Sequence, residues 1–169
     1  MKITDVRPWI VKIPIDSNPG GDSVRSPNLR TLVFVQVDTD EGITGWGEIT
    51  TYPGIVANRA IAAYIREIGR WIQGEDPACI EMVWNKIFRE FTYVGTRGAT
   101  SAAISGIDIA LWDIQGKALG QPVYKLLGGP VRESIALYCH PHVGGSPEGI
   151  AKASKEIVAA GFKAYKMDP

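Results

Sequence analysis

The sequence predicts an α+β chain in two parts. A three-stranded antiparallel sheet joined to a set of helices comes first, and a single βαβ unit that opens a larger α/β domain follows. Three observations carry this reading. The opening fifty residues hold three runs rich in β-branched and aromatic types, separated by turn chemistry. The middle of the chain carries apolar stripes at spacings of three and four. From about residue 131 the pattern changes to a continuous apolar run, a capped helix and a second short run.

The first strand covers residues 2–13 (KITDVRPWIVKI), with Ile3, Asp5 and Val6 leading into the run from Trp9 to Ile13. The second covers 30–38 (RTLVFVQVD). Thr39-Asp40-Glu41-Gly42 gives a turn, and 43–50 (ITGWGEIT) return as the third strand. Residues 14–28 separate the first two strands and are dense in Pro, Gly, Ser and Asn. A connection that long is either mobile or functional.

Helices come next. Ile61, Tyr64, Ile68 and Trp71 form one stripe. Asp76-Pro77 reads as an N-cap followed by a first-turn proline, ahead of Ile80, Val83, Ile87 and Phe91. After GTRGAT (95–100), Ile104, Ile107, Leu111, Ile114 and Ala118 make the clearest stripe in the chain. Ala103, Ile109, Ala110 and Trp112 widen its apolar surface, so this helix is expected to be buried on more than one side. Gly120-Gln121-Pro122 ends it, and VYKLLGG gives a short helix.

SIALYCH (134–140) then reads as a continuously buried strand. Ser146-Pro147-Glu148 starts a helix with a cap, a first-turn proline and an early acid. Ile150, Ile157 and Val158 are expected to face inward, and Gly161 suits the position after the helix. FKAYKM (162–167) is the following strand, parallel to the first with a right-handed crossover. One βαβ unit covers neither face of its sheet, so these residues are expected to be the first turn of a larger domain.

Composition excludes several classes of function. The 169 residues are 45% hydrophobic, enough for a real core, with 19 Gly and 11 Pro. Lys plus Arg number 18 and Asp plus Glu 18, which removes the electrostatic case for a general nucleic-acid or anionic-membrane binder. No apolar run approaches the roughly 18 residues that a membrane span needs. The opening residues scatter charge and proline through any signal-peptide core, so a cytoplasmic location is expected. Cys79 and Cys139 are too few and too far apart for a disulfide framework or a zinc site; each is expected to be a small buried apolar residue.

In parallel α/β architectures ligands bind at the carboxyl ends of strands. His140 ends the first of the two late strands, and Lys166 and Asp168 end the second. Alternation puts Phe162, Ala164, Lys166 and Asp168 on one face and Lys163, Tyr165 and Met167 on the other. A lysine in that position can act as a base or as a clamp for a developing enolate. An ordinary solvated Lys166–Asp168 pair fits the same spacing. His140 and His142 form an H-x-H pair without further ligands, which reads as one strand-end and one loop histidine. The glycines of GITGWGEI flank a turn and do not precede a helix, so they make no phosphate loop; Trp46 and Glu48 read as strand residues. A nucleotide-binding βαβ unit is disfavoured for the same reason.

Together GITGWGE (42–48), SAAISGIDIALWDIQGKALGQPVYKLLGG (101–129) and AYKMDP (164–169) resemble the enolase superfamily, in its mandelate racemase/muconate lactonizing enzyme branch. The resemblance runs over the whole chain, and the long middle segment is its most specific part. It implies that residues 1–130 are an N-terminal capping domain and that 131–169 begin a (β/α) TIM-like barrel, incomplete here. Residues 14–28 and 50–58 would be lid segments over the barrel mouth. The implied chemistry is abstraction of a proton α to a carboxylate, with the enediolate held by Mg²⁺. Lys166 matches the first lysine of the family's paired-lysine strand and would be catalytic, meeting the negative charge. Tyr52, His140 and Asp168 would be substrate-binding. No metal ligand is assigned within the chain. Where the racemases and lactonizing enzymes place a second lysine as base, this sequence has Asp168, which cannot serve as a neutral amine. Members lacking that lysine are acid-sugar dehydratases of the galactonate-dehydratase type. The expected activity is therefore dehydration of a sugar acid by a homo-oligomer. The alternatives are racemase or cycloisomerase activity, or a non-catalytic capping or oligomerisation module if the chain ends at 169. By itself the 169-residue chain is expected to be inactive.

Overall fold

In the computed structural model, the described residues are 1–14, 29–49, 55–139 and 146–166. Three strands come first: β1 (Ile3–Pro14), β2 (Leu29–Thr39) and β3 (Thr44–Ile49). Five helices follow: α1 (Ile55–Ile72), α2 (Ile80–Glu90), α3 (Ala99–Leu119), α4 (Val123–Leu126) and α5 (Pro147–Ala159). The chain divides into two compact units. One is built from Met1–Ile13 and Thr31–Gly129, and the other contains the residues from Pro130 onward.

The first unit is the expected three-stranded antiparallel sheet with helices on one face. Its strand order is β1-β2-β3. β2 and β3 pair antiparallel, with Val33 opposite Ile49 and Asp38 opposite Thr44. Side chains link β1 to β2 in the same antiparallel sense: Arg7 pairs with Asp38, and the Trp9 indole N–H donates to Gln36 Oε1 at 3.0 Å. Alternation along β2 buries Val33, Val35 and Val37 on the helix side and leaves Phe34, Gln36 and Asp38 on the open side. α1 presents Ile61, Ile65, Ile68 and Ile72 to the core, whereas Trp71 of the expected stripe lies half out of it. α2 contributes Ile80, Val83 and Ile87, and Phe91 follows directly, its ring edge-on to Tyr64 at 5.5 Å.

α3 is the central helix. It packs on β3 along one side and on α1 and α2 along another, as its wide apolar surface predicts. Ile109 is an exception at 45% exposed, because it falls on the one strip that no described element covers. α2 starts at Ile80, later than its sequence signal. Asp76 instead closes a turn ahead of the helix: its Oδ1 accepts from the Ala78 N–H at 2.9 Å, and its carbonyl from the Cys79 N–H at 3.0 Å. Cys79 sits at the helix N-cap and is exposed, and Cys139 is half-buried, so the expectation of two buried thiols is corrected. Among the described residues no helix is long and apolar enough to cross a membrane.

The second unit keeps the expected parallel sense of its two late strands but not their extent. They meet in one parallel bridge, Cys139 with Tyr165. Residues 134–138 of the expected buried run are exposed, Ile135 and Leu137 at 75% and 72%. Two strands with one described helix beside them offer too little covering surface to bury an apolar run. On α5 the inward residues are Ala153 and Ile157, with Ile150 half-buried; Val158 falls one position off that line and is exposed.

Candidate functional site

Of the four residues singled out for chemistry, Lys166 is described. Tyr52, His140 and Asp168 lie outside the described residues, as do His142 and most of both lid segments.

Three bonds build the surroundings of Lys166. Its backbone N–H donates to the Cys139 carbonyl at 2.9 Å, and the Cys139 N–H donates to the Ala164 carbonyl at 3.2 Å. Tyr165 between them turns its side chain onto α5, where its hydroxyl lies 2.6 Å from Ser154 Oγ. Alternation then sets Lys166 on the face away from α5. The helix is held in place at both ends. Ser146 Oγ accepts from the Gly149 N–H at 3.1 Å, with Pro147 in the first turn. Gly161, at φ +91°, then turns the chain back toward the strand, and the Phe162 N–H donates to the Ile157 carbonyl at 3.2 Å. In a βαβ unit the crossover helix covers the outside of the sheet. Lys166 thus stands on the opposite face, at the carboxyl end of its strand. Among the described residues no group of three or more His, Cys, Asp or Glu side chains lies together.

The two most distinctive sequence segments have a different role. Gly45 and Gly47 of GITGWGE lie directly under α3. A Cβ on Gly47 would stand 1.9 Å from the Gly106 carbonyl oxygen, and one on Gly45 2.1 Å from that of Ala110. Gly106 is itself small for a reason, since a Cβ there would meet Ile49 Cδ1 at 2.6 Å. Polar bonds fix the same seam. Asp113 accepts from the Trp46 backbone N–H at 2.8 Å and from the Lys117 ammonium at 2.6 Å, and that ammonium also donates to the Thr44 carbonyl at 2.7 Å. Trp46 is a strand residue, as expected. The segment is a docking seam between β3 and α3.

Two carboxylates that sequence reasoning missed have displaced pKa values. Partial burial pushes Asp38 upward, but hydrogen bonds from Gln36, Thr44 and Arg7 outweigh it and hold the carboxyl below its ordinary range. Burial, then the negative charge of Glu81, pushes Asp108 above it. Strand register would have suggested the first, since Gln36, Asp38 and Thr44 share one face. Nothing in the helix pattern marks the second, nor the Tyr165–Ser154 contact.

The description of one matching family model is Mandelate racemase / muconate lactonizing enzyme, N-terminal domain, and it covers residues 6–128. A D-galactonate dehydratase of Pectobacterium atrosepticum is 43% identical over 138 residues, which are 80% of this chain and 34% of that protein. One from Xanthomonas axonopodis pv. citri is 45% identical over 139 residues, again 80% and 34% of the two chains. Among solved structures, a member of the enolase superfamily from Polaromonas sp. JS666 is 34% identical with a TM-score of 0.84, and the match covers 100% of this chain and 44% of that one. The 3,6-anhydro-D-galactonate cycloisomerase of Zobellia galactanivorans is 30% identical with a TM-score of 0.79, covering 99% and 42%. The chain thus spans about a third of the length of the dehydratases it matches.

Proposed function

Because this chain belongs to the mandelate racemase / muconate lactonizing enzyme family, we propose that it is the capping region and first barrel segment of an acid-sugar dehydratase. Residues 1–130 would form the cap and 131–169 the start of the barrel. In the proposed reaction a base removes the proton α to the substrate carboxylate, and the electron pair moves onto the carboxylate as an enediolate. The β-hydroxyl then takes a proton from a general acid of the complete site and leaves as water, and the resulting enol tautomerises to a 2-keto-3-deoxy acid. The α-proton is a very weak acid, so the developing charge must be met by fixed positive charge. Lys166 supplies an ammonium for that purpose, with Tyr52, His140 and Asp168 contacting the sugar acid.

The observation that supports Lys166 in this role is the parallel Cys139–Tyr165 bridge with Tyr165 held on α5. That arrangement leaves Lys166 for the face a barrel turns inward. The dehydratase reading over racemase or cycloisomerase rests on Asp168, an acid where those activities need a second lysine, and on the likeness to D-galactonate dehydratases. The enzyme is proposed to require Mg²⁺ and to work as a cytoplasmic homo-oligomer on a small carboxylate. The test is to incubate the product of the complete reading frame with Mg²⁺ and a panel of aldonic and aldaric acids. A 2-keto-3-deoxy product from at least one acid is expected; none from any of them would overturn the proposal.

A further inference from the structure

We propose that Tyr165 and Ser154 are positioning residues that decide which face of its strand Lys166 occupies, an inference that rests on the role given to Lys166 above. The direction of the bonds is fixed by chemistry. Ser154 Oγ lies 2.7 Å from the Ile150 carbonyl, which can only accept, so the serine hydroxyl donates there. Its oxygen is then left to accept from the Tyr165 phenol at 2.6 Å. The result is a directed chain from strand to helix: Tyr165 to Ser154 to Ile150.

The backbone leaves room for this chain to matter. The two late strands share one bridge, and such a short pairing defines register weakly. A slip of one residue exchanges the faces of Tyr165 and Lys166 and turns the ammonium onto α5. An apolar residue at 165 would pack on α5 in more than one position, whereas the phenol reaches a single acceptor. The Lys166 N–H and Cys139 N–H bonds then hold the strand edge, and the phenol holds its face.

The test uses the product of the complete reading frame and five variants. Lys166→Met is expected to abolish turnover. Tyr165→Phe and Ser154→Ala are each expected to lower kcat about tenfold through misplacement of the ammonium, with KM and Tm unchanged. The double variant should be no slower than either single one. Ser154→Thr keeps the hydroxyl and should keep kcat. Amide exchange at Lys166, read without any substrate, should speed up about fivefold in Tyr165→Phe. Unchanged exchange in Tyr165→Phe would overturn the positioning role. So would an intact kcat there while Lys166→Met is dead, or a loss confined to Tm. Full turnover in Lys166→Met would instead overturn the role given to Lys166 and leave the exchange result to judge the contact itself.

Discussion

Replacing Gly47 with alanine forces a methyl group against the backbone of α3. Its Cβ would begin 1.9 Å from the Gly106 oxygen and 3.1 Å from the Ala110 nitrogen, and neither is a side chain that can swing away. Restoring ordinary contact requires β3 and α3 to part by on the order of 1.5 Å. That separation stretches the bonds from Trp46 to Asp113 and from Lys117 to Thr44, now 2.8 and 2.7 Å, beyond useful length. Overpacking of this kind costs about 1–3 kcal/mol. Losing a bond to a charged group adds about 1.5–3 kcal/mol. The expected total is about 2.5–6 kcal/mol, out of about 5–15 kcal/mol for a whole domain. Urea titration followed by tryptophan fluorescence measures it, as a lower midpoint at constant slope. Gly42→Ala is the control: its φ is +78° but its Cβ would meet nothing within 4 Å, so backbone strain alone should cost about 1 kcal/mol. A second comparison isolates the contact. Ile49→Val should cost about 1 kcal/mol in the natural chain and less than that in Gly106→Ala, because it removes Cδ1, one of the two Ile49 atoms that the new methyl meets at 2.6 Å. If Gly47→Ala costs no more than Gly42→Ala, the docking seam is not what those glycines serve.

Asp113→Ala strands the Trp46 N–H, leaves the Lys117 ammonium its bond to the Thr44 carbonyl, and should lower stability by about 2 kcal/mol, read in the same titration. Asp38 is held below the ordinary aspartate value of 3.8, so its contribution is present above that value and fades as pH falls through the lowered one. Asp38→Asn should therefore lower Tm at neutral pH and lose that effect in acid. Asp108 has the opposite sign: its raised value makes the ionised form costly, a cost absent below 3.8 and complete above the raised pKa. Asp108→Asn should raise Tm at neutral pH and leave it unchanged in acid; a stabilisation of equal size at both would contradict the assignment. Calorimetric titration of Mg²⁺ into the 169-residue chain should show no saturable, stoichiometric binding, and such binding would contradict the donor set described.

Most of the first unit was legible because periodicity and burial agree there. β2 alternates valine with Phe34, Gln36 and Asp38, and α3 carries more apolar positions than one face can hold, so each announces its surroundings. The start of α2 was misplaced because Asp76-Pro77 is equally good chemistry for a turn, and the turn won. SIALYCH reads as buried on composition, yet burial depends on what covers a strand, which an apolar run cannot specify. At the site, alternation alone separated Lys166 from Tyr165, and the Ser154 contact agrees with that separation. What stayed hidden was long-range: Asp113 reaching β3, Asp108 beside Glu81, and glycines whose spacing matters only against a helix sixty residues later.

A crystal structure of the complete reading frame's product, grown with Mg²⁺ and an aldonic acid, would measure the decisive distance. With Lys166 acting on the enediolate, its Nζ should lie within about 3.2 Å of a substrate carboxylate oxygen, across the strand from the Tyr165–Ser154 contact. An Nζ lodged against α5, or two late strands running in opposite directions, would contradict the account.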